Sequence, residues 1–161
     1  MPLFHTTHAP LPIGTVLQPG RWGDVFRTQY FFDASSANGA LAGWRLASEL
    51  IIEDVRRGEF PDLPSRLACI FAHDEGQIAR SWLPPGAINA THFIYEVELV
   101  DVSAPTHRAA LNLMSAINRF SASEPFCSLT ERLARAYWRG DDIHIPEIVI
   151  ASPLRILRQL P

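Results

Sequence analysis

"IPEIVIASPLRILRQL", residues 145–160, reads as two short strand-like runs split by Pro153. Upstream of it, strands and helices mix without a regular strand–helix repeat. That favours an α+β fold over a doubly wound parallel sheet. Before it, "SLTERLARAYWRG" predicts a helix that opens on a capping box, Ser128 with Glu131, and stops at Gly140. "APTHRAALNLMSAINRF", residues 104–120, predicts a second helix, with Leu111, Met114 and Ile117 in register. "HFIYEVELVD", residues 92–101, is the clearest strand. "DEGQIARSWL" predicts a short helix capped by Asp74 and stopped by Pro84, and "SRLACIFAH", residues 65–73, a strand bounded by Pro64.

Further out, apolar residues recur at helical spacing through Leu41, Trp44, Ile51 and Val55. They predict a long helix from Ser36 to Gly58, with Arg56 and Arg57 in its last turn. Residues 8–23 hold Pro10, Pro12, Gly14, Pro19, Gly20 and Gly23, which predict turns and no regular element. Residues 2–6 predict a first strand.

At 161 residues and 47% hydrophobic, the chain suits one domain, 1–161, with a core that needs neither disulfide nor metal. No apolar run reaches a membrane span and no signal-peptide pattern opens the chain, so a cytoplasmic location is expected. The net charge of −3 does not advertise nucleic-acid binding. All 14 basic residues are arginine. No lysine is therefore present to act as nucleophile, Schiff base or phosphate ligand, and phosphate recognition falls to arginine, hydroxyls and backbone amides. The two cysteines, Cys69 and Cys127, have no zinc spacing, and the six histidines form no H-x-x-x-H or H-E-x-x-H pair, so no metal is expected. Glycine-rich phosphate loops and G-x-S-x-G elbows are absent.

Four features carry possible chemistry. His5 stands beside Thr6 and Thr7 at the end of the first strand. Glu147 opens an otherwise apolar strand after the loop "RGDDIHIP", and its plainest reading is a solvated charge at a strand end. Arg66 follows Ser65 at the start of a strand, and Tyr137 ends a helix whose first explanation is core packing.

"LFHTTHAPLPIGTVLQPG" carries Phe4, His5, Thr6 and Thr7, followed by Leu11, Gly14, Leu17 and Gly20. It resembles the opening of rifampin ADP-ribosyltransferases and related small ADP-ribosyltransferase-like proteins. There a strand ends in an aromatic, His and Gly-Thr or Thr-Thr before an L-x-x-G-x-x-L-x-x-G segment. "LACIFAHDEGQIARSWL" resembles the family strand that carries an aromatic, "HFIYEVELVDVSAP" its central strand and "SPLRILRQL" its closing strand. "PEIVIASPLRI" is similar to the wider superfamily's late strand opened by glutamate. Two departures stand out. Phe71 occupies the place of the usual tyrosine. The acid follows the superfamily at Glu147, whereas the rifampin-type position has Asp101 as its nearest acid, which counts against rifampin as substrate.

The resemblance implies an ADP-ribosyltransferase-like split β-sheet with helices packed around it, and an NAD-dependent mono-ADP-ribosyltransferase. Such an enzyme cleaves the bond between nicotinamide and ribose C1′ through an oxocarbenium-like transition state. His5 and Thr6, with Thr7, would hold a ribose; Phe71, or failing it Tyr137, would stack on nicotinamide; Ser65 and Arg66 would meet the pyrophosphate; Glu147 would oppose the developing cation. NAD is the implied co-substrate. The acceptor is a protein, a nucleic acid, a small molecule or water. The alternatives are a non-catalytic binding module on the same fold and an NAD-dependent RNA 2′-phosphotransferase.

Overall fold

Five consecutive residues, Pro146–Ile150, are all buried, and this strand lies at the centre of its sheet. The computed structural model describes residues 2–28, 37–75, 92–114 and 121–161. In chain order the elements are β1 (Leu3–Thr7), β2 (Val16–Leu17), α1 (Arg21–Thr28), α2 (Ala37–Glu59) and a 3-10 turn (Arg66–Ala68). They continue with β3 (Ile70–Ala72), β4 (Phe93–Leu99), β5 (Thr106–Ala110), a second 3-10 turn (Leu111–Met114), α3 (Phe126–Arg139), β6 (Pro146–Ile150) and β7 (Leu154–Gln159). The fold is α+β, and every strand pairing is antiparallel.

One sheet runs β1-β4-β7-β2 and the other β3-β6-β5. A strand buried on both faces needs apolar side chains in both directions, which is why "EIVI" is nearly continuous. Ile148 and Ile150 point into a core shared with Leu3, Tyr95, Val97, Leu154 and Ile156 of the other sheet. Val149 points the opposite way, into a second core with Ile52 of α2 and Leu133, Tyr137 and Trp138 of α3. The three-stranded sheet is thus a middle layer between the helices and the second sheet. Among the described residues the sheets meet edge to edge at one bridge, where Phe4 and His73 exchange backbone hydrogen bonds of 2.8 Å each way.

Several expectations need correction. Residues 106–110 are strand β5, not helix: Thr106–Ala110 pair with β6, and the amide of Leu111 extends the ladder to the carbonyl of Ile145. Long-range pairing decides a segment whose alanines suit either state. The segment 65–73 opens with a 3-10 turn, and its strand is only Ile70–Ala72. The turn-rich segment holds β2 and the first residues of α1. Gly20, at φ +103°, makes the turn into that helix. Helix α3 begins at Phe126, with Pro125 at its N-cap and no side-chain cap, so the box at Ser128 is not used. It ends as expected at Gly140, left-handed at φ 73°. The helix expected after Asp74 falls in residues 76–91, outside the described residues. No helix among the described residues is long and apolar enough to cross a membrane.

Candidate functional site

Past the Phe4–His73 bridge, β1 and β3 part company, and His5 stands at the fork. Its Nδ1 lies 2.7 Å from the carbonyl oxygen of Phe71. A carbonyl only accepts, so Nδ1 carries the proton and Nε2 of the neutral ring keeps its lone pair. Burial lowers the His5 pKa below its ordinary value. The bond to Phe71 opposes that, and the charges of His73 and Arg21 reinforce it.

A cavity of about 390 Å³ opens beside this ring. β1 and the residues after it supply His5, Thr6, Thr7 and His8; α1 and the turn before it supply Gln18, Arg21, Trp22 and Val25; β3 supplies Ile70 and Phe71, with Cys69 just ahead of it. The volume falls in the range of small-molecule sites, and the lining mixes aromatic rings with a few polar groups in the usual way. Two polar atoms of this wall, Thr6 Oγ1 and Trp22 Nε1, are buried without a hydrogen-bond partner. They are polar capacity that the fold itself leaves unused. The Cys69 thiol, pushed up to about 12 mainly by burial, is not a nucleophile.

The position of α1 depends on a close approach. A Cβ on Gly23 would lie 2.2 Å from the backbone oxygen of Leu67, so the helix rests directly on the first 3-10 turn. The amide of Gly20 also donates to the carbonyl of Cys69 at 3.1 Å.

Behind Phe71 lies a buried ionic cluster. The Arg66 guanidinium sits over the Phe71 ring, 4.7 Å from its centroid, and 5.0 Å from that of Tyr137. Arg66 Nε donates to Glu49 at 3.0 Å, and Nη1 donates to Tyr137 Oη at 2.6 Å and to Glu147. Tyr137 Oη donates in turn to Glu147 Oε1 at 2.6 Å. Burial alone would lower the Arg66 pKa, but Glu49 first, then Tyr137 and Glu147, hold it well above the ordinary value. Burial pushes the Tyr137 hydroxyl well up, so it remains a neutral donor. One guanidinium faces two carboxylates.

The expected site residues therefore divide. His5, Thr6, Thr7 and Phe71 line one cavity. Glu147 does not line it, and neither is it the solvated charge its position suggested: it is 3% exposed and bound to Arg66 and Tyr137. Arg66 is not available to a pyrophosphate, because buried partners occupy its guanidinium. Ser65 is also committed, donating to Glu53 at 2.8 Å and accepting from the amide of Leu67. Tyr137 is fully buried, so it offers no ring to a ligand. Asp101 caps the turn after β4 through Ser103, whose hydroxyl lowers its pKa, and it does not line the cavity.

Reading the sequence missed Glu49, Arg21 and Trp22. Glu49 had a signal: with Glu53 one turn on, it falls on the same buried side of α2 as Ile52 and Val55. Carboxylates on an apolar face need partners, and Glu53 finds its own in Arg56, Arg57 and Ser65.

No curated protein matches the chain. A family model described as "Protein of unknown function (DUF2441)" matches residues 29–160.

Proposed function

Because the chain belongs to the DUF2441 family, a membership that brings no activity with it, we propose from its own residues that it is an NAD-dependent mono-ADP-ribosyltransferase. The dinucleotide would enter the fork between β1 and β3, in an ADP-ribosyltransferase-like split sheet. One observation carries the reading: His5, Thr6, Thr7 and Phe71 converge on a single cavity with a cation, Arg21, at its edge. In this reading His5 Nε2 accepts from a ribose hydroxyl, the unpaired Thr6 hydroxyl pairs with a neighbouring polar group while Thr7 stays bound to the Ala9 carbonyl at 2.7 Å, and Phe71 supports the nicotinamide ring. Arg21 takes the pyrophosphate role expected of Arg66. The C1′–N bond breaks with its electron pair leaving on nicotinamide. The acceptor's nucleophile then bonds to C1′ and gives up its proton. Glu147 contributes through the field of its buried cluster, without touching the sugar.

A second reading, a non-catalytic nucleotide-binding module, is favoured by one feature. Glu147 is bound to Arg66 and Tyr137 outside the cavity wall, where a transferase of this class needs a carboxylate near the ribose. Thermal shift with NAD, paired with an assay for released nicotinamide, separates the two. Binding with nicotinamide release is expected. Binding without release selects the module, and absence of binding overturns both.

A further inference from the structure

Resting on the NAD reading, we propose that Glu49 and Glu147 together are specificity-determining residues that make the cavity select a positively charged ring, without either carboxylate touching the ligand. Phe71 is a wall of the cavity. Directly behind it, Arg66 carries one positive charge and is held by Glu49 and Glu147, which carry two negative ones. Glu49 is 2% exposed, Arg66 5% and Glu147 3%, so water screens the cluster weakly. The formal sum of these charges is −1, and Arg66 lies against a ring that itself lines the cavity. A field of that sign is felt through the low-dielectric wall by a charge on the other side.

Arg66 is the member nearest the ring, at 4.7 Å. With one carboxylate it would be neutralised and the cavity would see a dipole with its positive end forward. The second carboxylate reverses the sign. That accounts for two glutamates, from α2 and β6, meeting on one arginine from the 3-10 turn. It also accounts for the buried Tyr137 hydroxyl, which spans Arg66 and Glu147 and fixes their geometry. Arg21 also lines the cavity, but it is exposed, so water screens its charge far more than that of the buried cluster.

NAD and its reduced form share every phosphate and ribose but differ in ring charge: the oxidised nicotinamide is cationic and the reduced one neutral. Calorimetric titration of the full chain with each form reads the selectivity as a ratio of Kd values. The wild-type protein is expected to bind the oxidised form about tenfold more tightly, the effect of one unit charge acting through roughly 10 Å of protein. Glu49→Gln and Glu147→Gln each remove one negative charge and keep the volume. Each is expected to bring the ratio close to one while the affinity for the reduced form stays within about twofold. Glu98→Gln, on an exposed pair with Arg155, is expected to leave the ratio unchanged. A wild-type ratio near one overturns the proposal, and so does an equal loss of both affinities in the Gln variants, which is what a merely structural role produces. Should neither variant fold, the wild-type ratio decides alone. Failure of the wild type to bind either form overturns the NAD reading itself, and this proposal with it.

Discussion

At the scale of single residues, His5 ties the fork together and makes the cavity sensitive to pH. Its folded-state pKa is lowered from 6.5, chiefly by burial. Between that lowered value and 6.5 the unfolded chain binds the proton that the folded chain sheds, so stability rises with pH across the window. The His5 contribution is complete above 6.5 and is lost as pH falls through the lowered value. Urea denaturation from pH 5 to 7.5 should show a steeper acid loss in the wild type than in His5→Asn; parallel curves would contradict the assigned burial. His5, Thr6 and Thr7 stand out in the sequence as a polar trio at a strand end, whereas Phe71 was singled out only by the family resemblance; the four line one cavity. The partners of Arg66 were not legible in the sequence, because Glu147 lies 81 residues away and Tyr137 71. No local period encodes such a meeting. A lone glutamate at the start of an apolar strand has the same spelling whether water or a guanidinium awaits it.

Among the elements, the central strands and α2 could be read because their apolar spacing is strong. The error at 104–120 has a physical source. Leu111 and Met114 recur at helical spacing, yet the chain changes state at Leu111, where β5 gives way to a 3-10 turn. Helix α1 was hidden by Gly20 just before it and Gly23 within it, which read as breakers. Gly23 is there so that the helix can touch the turn at Leu67. Gly23→Ala should therefore cost roughly 1–3 kcal/mol, since backbone cannot swing aside as a flexible side chain can. If the proposed NAD reading holds, it should also weaken NAD binding, because Arg21 and Trp22 of the cavity lining lie on α1. Gly58→Ala, in the last turn of α2 with nothing within 4 Å of its Cβ, should instead stabilise by up to about 1 kcal/mol. Paired denaturation curves test both signs at once, and two shifts of equal sign would refute the close-approach argument.

Across the whole molecule, the layering of helices, middle sheet and outer sheet could not be read from the sequence. It depends on which face each strand presents after pairing, and β6 presents two apolar faces that sequence alone cannot order. The same layering separates the two thiols. Cys69 is sealed by burial within the cavity wall, its pKa pushed up to about 12, while Cys127 is exposed in the first turn of α3. No lysine competes for electrophiles anywhere in the 161 residues. Under native conditions a maleimide dye should add once, at Cys127, and intact mass should rise by one adduct; a second adduct before denaturation would mean that Cys69 is not sealed. The native chain thus arrives with a single addressable handle. A fluorophore, spin label or surface tether can be attached there without redesigning any residue.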